Sequence, residues 1–247
     1  MQRDADWPVL DVSPDLRLCV TRDMPALDPA LDAEVERLWT RARAARPLFN
    51  GQVFCADRIT PERIDGHWTE YRRAVAQMVD PALKDALRIR SLAVCGALCG
   101  PDGVLAGLRD TNAVYQAGEW QLPPAGSVDS GAAEPGGASW RRALLAELEE
   151  ELGIGADRVT GLRPLCLVHH PSGVLDLGIR IDTDLGGAEI LAAHRDSGNA
   201  EYERLLIAPA AELPGRIAAL GGRLVPSGHA FLARLSPAPS PSGRGPG

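Results

Sequence analysis

The sequence lacks the features of a membrane-bound or exported protein. It has no uninterrupted apolar run of about 18 residues, the length that a membrane-spanning helix needs. Residues 1–6 lack the basic and then apolar pattern of a signal peptide. The five cysteines are odd in number and scattered, which suits neither a disulfide framework nor a four-ligand zinc site. We therefore expect a cytoplasmic protein with reduced cysteines, in which Cys95 and Cys99 pack in the core.

Aromatic residues and positive charge are also scarce. Aromatics make up 4% of the chain, so the core must be built largely from Leu, Ala and Val. The formal net charge of −7 argues against the basic face that a nucleic-acid partner requires. A small anionic substrate remains compatible, because a bound metal ion reverses the sign of the field locally.

Two common catalytic motifs are missing from the sequence. No Gly-x-x-x-x-Gly-Lys-Ser/Thr loop occurs, so a phosphate-binding P-loop is excluded. No Gly-x-Ser-x-Gly elbow occurs either, and Ser227-Gly228-His229 does not make a catalytic triad. With 247 residues, of which 45% are apolar and 24% charged, the chain has the composition of a soluble globular protein. Its length suits one domain with an extension.

The pattern of apolar residues divides the chain near residue 87. Residues 1–86 form a predicted N-terminal α+β extension, with helices at 31–45 and 67–79 and a strand at 52–55. Residues 87–235 form the predicted main domain. Its strands are expected at 89–99, 104–108, 162–168, 174–181 and 203–207, and its helices at 140–152 and 209–220. Residues 236–247 are of low complexity and are expected to be disordered.

The helix at 140–152 carries the most informative residues of the sequence. Glu147, Glu150 and Glu151 are spaced i, i+3 and i+4, so they share one helical face. Like charges on one face repel each other, and a hard cation such as Mg²⁺ or Mn²⁺ removes that penalty. A solvated acidic face is the alternative interpretation. The flanking residues favour the metal site.

The flanks resemble the signature of the Nudix hydrolases. Residues 146–154 match the second half of that family's box, with Ala146 in place of its arginine. Gly126 matches the opening glycine, but the box glutamate falls at Ala132, and an insertion of six residues is placed within 133–139. The hairpin at 89–109 and the segment 119–123 are similar to the family's lead-in. The resemblance implies an α/β/α sandwich with a mixed sheet and a metal-dependent diphosphatase.

The resemblance also implies roles for single residues. Glu147, Glu150 and Glu151 would ligate Mg²⁺ or Mn²⁺ and serve catalysis. The substrate-binding residues would be Arg109, Trp120 and Gly126, of which Arg109 suits phosphate oxygens. Tyr115 is a second candidate for stacking on a base, although core packing is equally compatible with it and with Trp120.

The general base is not visible in the box. Glu201 and Glu203 stand at the entry to a late strand, but a solvated loop is the alternative for both. His169 and His170 suit acid–base chemistry or phosphate binding, and an exposed turn is the alternative. Glu134 is a candidate substitute for the missing box glutamate. Arg141 or Arg142 is a candidate for the missing arginine, against a surface role.

A finer resemblance concerns the N-terminal extension. Leu38-Trp39, then residues 46–51 and Tyr71-Arg72, followed by a divergent box, are similar to the animal UDP-glucose/UDP-galactose diphosphatase branch. This resemblance implies a nucleotide-sugar substrate cleaved to UMP and a sugar 1-phosphate.

Ala132 and Ala146 motivate a second function. Both stand where the box carries charge, so a catalytically weakened Nudix-fold module that binds a nucleotide and regulates another process is the alternative. A Nudix-fold isomerase is a third possibility, without an identifiable cysteine and glutamate constellation. A homodimer is left open, because nothing in the sequence fixes the oligomeric state.

Overall fold

The structure is a computed structural model that describes residues 7–45, 47–111 and 116–235. Arg46, Tyr115 and the low-complexity tail, which carry predictions made above, lie outside these residues. The helices are α1 (Pro29–Ala45), α2 (Tyr71–Val79), α3 (Lys84–Leu87), α4 (Trp140–Leu152), α5 (Gly187–Ser197), α6 (Leu213–Ala219) and α7 (Pro226–Leu232). The strands are β1 (Val9–Asp11), β2 (Arg17–Val20), β3 (Gln52–Ile59), β4 (Arg63–Glu70), β5 (Leu92–Gly100), β6 (Gly103–Arg109), β7 (Trp120–Gln121), β8 (Ala125–Ser127), β9 (Ala133–Glu134), β10 (Gly137–Ala138), β11 (Val159–His169), β12 (Leu175–Thr183) and β13 (Tyr202–Ala208).

The larger sheet is mixed, in the order β1-β11-β12-β5-β6-β13, with β7 on β6 and β8 on β5. The β5–β6 pair is the predicted hairpin around the turn 101–103, and β12 runs parallel to β5. Because successive side chains of a strand point to opposite faces, β5 contributes to two separate cores. Leu92 and Leu98 pack on one face, and Cys95 and Ala97 pack on the other.

Helices cover both faces of this sheet. The core that contains Leu92 and Leu98 also contains Leu144 of α4 and Ile190 of α5. The opposite core contains Ile217 of α6 and Phe231 of α7. The structure is therefore an α/β/α sandwich built on a mixed sheet, as the sequence predicted.

The smaller sheet joins the N-terminal region to the segment that precedes α4. Its order is β3-β4-β2-β10-β9, so β9 and β10 extend a sheet of N-terminal strands. The insertion predicted as a loop at 133–139 thus folds into two short strands that pair with each other, and β10 also pairs with β2. The loop prediction was wrong, because partners supplied by a distant segment cannot be seen in local sequence. Trp140 ties α4 to this sheet, its indole nitrogen donating to the carbonyl of Leu16 at 3.0 Å.

The predicted helix at 67–79 is correct only from Tyr71 onwards. Residues 63–70 form β4, in which Trp68 stands opposite Phe54 of β3. The two rings meet edge to face with centroids 5.9 Å apart. Helical spacing fits all four of Trp68, Tyr71, Val75 and Met78. Trp68 nevertheless belongs to β4, which ends where α2 begins. Pairing with β3 outweighed the local pattern.

The remaining sequence predictions differ from the structure mainly in length. Helix α4 spans the predicted residues 140–152, whereas the helix predicted at 209–220 is reduced to α6. Helices α3, α5 and α7 were not predicted. No helix in the described part of the chain is long and apolar enough to cross a membrane. All five cysteines are unpaired, with Cys95 buried and Cys99 half-buried.

Candidate active site

Helix α4 presents two of its acidic residues, Glu147 and Glu151, to β8 of the larger sheet. Its first turn is capped by the Ser139 hydroxyl, which accepts from the backbone N–H of Arg142 at 3.3 Å. Gly153 ends the helix in the left-handed conformation at φ 66°, which glycine adopts without steric cost. Leu144, Leu148 and Leu152 are buried in the core. These anchors turn Glu147 and Glu151, one helical turn apart, towards β8.

Glu147 lies directly over Gly126 of β8. A Cβ atom added to Gly126 would stand 1.8 Å from Oε1 of Glu147, far inside contact distance. The missing side chain of Gly126 therefore makes the space that the Glu147 carboxylate occupies. Sequence analysis predicted a role for both residues, and the structure brings them together.

Glu151 is almost completely buried, with 1% of its surface exposed. Its Oε2 accepts from the backbone N–H of Ala125 at 3.1 Å and from the hydroxyl of Tyr202 at 2.8 Å. Its Oε1 is buried without a hydrogen-bond partner among the residues described. A buried carboxylate oxygen without a donor is costly, so this atom is a candidate position for a cation or a proton.

Glu201 completes the group. Glu147, Glu150, Glu151 and Glu201 are called the acidic cluster below. Nη2 of Arg109 donates to Oε1 of Glu201 at 2.6 Å, and Nη1 contacts the amide oxygen of Gln121 at 3.3 Å. Glu201 is thus held at the site rather than free in a solvated loop. Glu203 instead accepts from the backbone N–H of Thr111 at 3.2 Å.

Burial and neighbouring carboxylates raise the pKa of Glu147 and of Glu151. Burial raises the pKa of Glu147 to about 7, and the charges of Glu150, Glu201 and Asp129 add to the effect. The pKa of Glu151 is also raised well above its usual range, first by burial and then by Glu201. Concentrated negative charge that favours proton uptake is also an environment that attracts a cation.

A cavity of about 230 Å³ opens beside the acidic cluster. Arg109, Gln121, Ala125 and Gly126 line the side nearest the cluster. This volume lies below the range of about 300–1,000 Å³ typical of drug-sized ligands, so it suits a single ring rather than a whole dinucleotide.

Asp176 is a buried carboxylate in the wall of this cavity that sequence analysis missed. It is 2% exposed and hydrogen-bonds to the side chain of Ser227, which also lines the cavity. Burial raises the pKa of Asp176 to about 6. The sequence carried only a weak signal, because Asp176 falls on the same alternate positions of its strand as Arg180 and differs from it only in being buried.

The remaining predicted residues of the divergent box lie elsewhere. Ala132 is buried in the core at 1% exposure, and Ala146 is exposed on α4. Glu134 is exposed on β9 of the smaller sheet. The guanidinium of Arg141 stacks on the ring of Trp140 at 4.0 Å, and Arg142 donates to the carbonyl of Ala133 at 3.0 Å. Both arginines thus have contacts away from the acidic cluster.

Three further candidates also lie away from the cluster. Trp120 is 2% exposed and packs in the core formed with α6 and α7. His169 and His170 line a second cavity, where Nδ1 of His170 lies 2.6 Å from the hydroxyl of Ser172.

The acidic cluster fits a divalent cation only with help from other ligands. In the part of the chain that the structure describes, no three carboxylate, imidazole or thiol side chains converge closely enough to hold one ion. Mg²⁺ commonly takes one or two protein carboxylates and completes its shell with water and substrate phosphate oxygens. The unpartnered Oε1 of Glu151 and the neighbouring carboxylate of Glu147 match that smaller requirement.

Comparisons with known proteins give limited information about this chain. No family model and no curated protein matches the sequence. A solved structure from Deinococcus radiodurans is similar over 75% of this chain and 99% of its own, with 14% identity and a TM-score of 0.49. The Nudix domain of Shewanella oneidensis NrtR, in complex with ADP ribose, is similar over 61% of this chain and 88% of its own, with 17% identity and a TM-score of 0.43. A MutT Nudix hydrolase from Burkholderia pseudomallei is similar over 59% and 98%, with 24% identity and a TM-score of 0.40.

Proposed function

We propose that this protein hydrolyses the diphosphate of a nucleoside diphosphate joined to another group, with a divalent cation at the acidic cluster. The observation that carries the proposal is that Glu147, Glu151 and Glu201 each contact a residue lining one side of the cavity. Glu147 lies over Gly126, Glu151 accepts from the backbone N–H of Ala125, and Glu201 pairs with Arg109. Carboxylates that destabilise one another in isolation are stabilised together by a divalent cation. The adjoining guanidinium supplies a donor for phosphate oxygens.

Each residue has a distinct part in this reaction. Glu147 and Glu151 would hold Mg²⁺ or Mn²⁺, and the exposed Glu150 would contribute through metal-bound water. The ion supplies charge neutralisation and water activation when bound. Arg109 binds the diphosphate and sets its orientation. Glu201, 31% exposed and bonded to Arg109, accepts the proton of the attacking water. Tyr202 fixes the Glu151 carboxylate from the buried side.

The proposed substrate is a nucleotide sugar of the UDP-sugar type, cleaved to UMP and a sugar 1-phosphate. This part of the proposal depends on the resemblance of the N-terminal residues described above. The size of the cavity agrees with it, because one ring of the substrate fills the cavity while the diphosphate remains at the acidic cluster. The unpaired state of all five cysteines favours a reducing compartment such as the cytoplasm.

A substrate panel tests the proposal. The purified protein is incubated with Mg²⁺ and with NDP-sugars, NAD-type dinucleotides or NTPs, and the products are identified by mass. We expect Mg²⁺-dependent release of a nucleoside monophosphate, and loss of that rate in Glu150→Gln and Glu151→Gln. Glu149→Gln is the matched control, since Glu149 is exposed on the same helix outside the acidic cluster. Absence of turnover on the whole panel would remove the support for an enzyme.

The second candidate function is a nucleotide-binding regulatory module of weakened activity. It is favoured by Ala146 at the position of the box arginine and by the contacts of Arg141 and Arg142 away from the acidic cluster. Without an arginine side chain that orients them by ion pairing, the carboxylates of α4 are less preorganised for catalysis. Thermal stabilisation by a nucleotide without turnover, retained in Glu150→Gln, distinguishes this function from the enzyme.

A further inference from the structure

A second cavity lies apart from the acidic cluster and has a volume of about 1020 Å³. Its walls come from the segment before α1, the end of β3, the residues around α3, and the turn between β11 and β12. No described residue lines both cavities. The proposed hydrolysis therefore gives this space no role.

The walls of this cavity carry positive charge in an acidic protein. Four cationic side chains and two carboxylates line it, whereas the whole chain has a net charge of −7. The cationic residues are Arg22, Lys84, Arg88 and Arg90, and the carboxylates are Asp57 and Asp85. Lys84 is also the single lysine of the 247-residue sequence. We call this space the cationic cavity.

One of the four cations, Arg22, is neutralised by an ion pair with Asp57. The guanidinium of Arg22 binds both oxygens of Asp57, at 2.6 and 2.8 Å. Arg90 also contacts this region, but it donates to the backbone carbonyls of Ala56, at 2.9 Å, and Asp57. A carbonyl group orients a guanidinium without cancelling its charge. Arg90 is therefore positioned and still unneutralised.

The other two cations are held in the same manner. Nζ of Lys84 donates to the carbonyl of Pro171 at 3.0 Å, and Nε of Arg88 donates to the carbonyl of Asp85 at 3.1 Å. Of the lining carboxylates, only that of Asp85 remains to offset the three cations Lys84, Arg88 and Arg90, which leaves the wall with a net charge of about +2.

The lowered pKa values of two histidines in the cavity are consistent with positive charge nearby. Burial lowers the pKa of His169, and the charge of Arg90 lowers it further. Burial lowers the pKa of His170 to about 4, with a contribution from Lys84. His67 is 2% exposed, its Nδ1 lies 2.9 Å from Oδ2 of Asp57, and its Nε2 is buried without a hydrogen-bond partner among the described residues.

We propose that the cationic cavity binds a phosphate-bearing small molecule at a site separate from the acidic cluster. Guanidinium and ammonium groups are the usual protein ligands of phosphate oxygens. Pro25, Ala26 and Leu27 line the same cavity and are exposed or half-buried, so apolar surface is available for the organic part of the ligand. The volume is at the upper end of the range of about 300–1,000 Å³ for small-molecule sites, which accommodates a molecule the size of a nucleotide.

The single lysine allows a test that does not depend on catalysis. Wild-type protein is treated with an amine-acylating reagent in the presence of a chelator, so that no divalent cation is available at the acidic cluster. Acylation of Lys84 is followed by mass spectrometry while inorganic pyrophosphate is titrated. We expect saturable protection of Lys84. Its acylation should slow about tenfold when pyrophosphate reaches about ten times its Kd, since about a tenth of the sites is then free.

Two variants show whether protection comes from the cavity. Arg88→Asn removes one cation at a position with φ 52°, a left-handed conformation that asparagine tolerates, and should raise the Kd about tenfold. Arg41→Asn, exposed on α1 outside the cavity, should leave the Kd unchanged. The proposal is overturned if pyrophosphate does not protect Lys84, or if sodium chloride of equal ionic strength protects it equally. It is also overturned if Arg88→Asn retains the wild-type Kd.

Discussion

Gly126 offers a specific test of how the acidic cluster is built. In Gly126→Ala, the new Cβ would stand 1.8 Å from Oε1 of Glu147. To restore an ordinary contact of 3.4 Å, the carboxylate must move by about 1.6 Å. The clashing atoms belong to the free end of a flexible side chain, and Gly126 has no positive φ, so alanine suits the backbone of β8. The strain is therefore expected to fall on Glu147 rather than on the sheet.

The expected result is loss of function with little loss of stability. Displacing a catalytic group by about 1 Å can reduce a rate about a hundredfold, so kcat/KM for the substrate identified in the panel should fall at least that far. The free energy of unfolding should change by less than about 1 kcal/mol. Gly215→Ala is the matched control, because Gly215 is exposed on α6 with open space around its Cα.

A double-mutant cycle locates the effect of Gly126→Ala. Glu147→Ala removes the carboxylate that the new Cβ displaces. If Gly126→Ala acts through Glu147, adding it to Glu147→Ala should cost little more activity. Independent, additive losses would refute this reasoning, and so would a wild-type rate in Gly126→Ala. Global unfolding of the single variant would show that the strain falls on the sheet.

Two further predictions concern the buried polar groups. Tyr202→Phe removes the donor to Glu151 and the acceptor for Gln121 and should cost about 1–3 kcal/mol. Calorimetry should then show a Tm lower by roughly 2–10 °C, and an unchanged Tm would contradict the hydrogen-bond assignment. The folded-state pKa of Asp176 is raised to about 6, above its unfolded value of about 3.9, so its stabilising contribution is present below pH 4 and is lost as the pH rises through 6. Asp176→Asn should therefore gain stability relative to wild type between pH 4 and 7, by about 3 kcal/mol, and a difference that is independent of pH would contradict this prediction.

Local sequence predicted the elements whose stabilising partners are nearby in the chain. Helix α4 combines a serine N-cap, an apolar stripe and a glycine stop within 15 residues, and it has the predicted bounds. The β5–β6 hairpin is closed by the Pro101-Asp102-Gly103 turn. Such signals are readable because propensity, capping and burial all favour the same structure.

Elements whose partners are distant in sequence were predicted poorly. Strand β4 was assigned to a helix, since only pairing with β3 distinguishes its Trp68 from a helical position. Strand β10 pairs with β2, which lies more than 100 residues earlier in the chain, and β9 pairs in turn with β10. Helix α5 was missed because Ile190 is its one fully buried side chain, which leaves no apolar periodicity to detect.

The same distinction applies to the candidate site. Glu147, Gly126 and Arg109 were predicted from motif positions. In the structure, Gly126 and Arg109 line one cavity, and Glu147 lies against Gly126. The ion pair of Glu201 with Arg109 depends on β13 lying against β6, a pairing that no local pattern reveals. Asp176 was overlooked because it alternates with the apolar residues of its strand, as Arg180 does, and the local sequence does not show that it is buried.

The most direct test of the central claim is the binding of Mn²⁺ to the acidic cluster, followed by electron paramagnetic resonance. Wild-type protein and Glu149→Gln should bind the ion with the same affinity. The double variant Glu147→Gln with Glu150→Gln should bind it at least about tenfold more weakly, because one or two carboxylates supply most of the protein's share of the shell. Equal Mn²⁺ affinity in all three proteins, or none in the wild type, would contradict a metal site on α4.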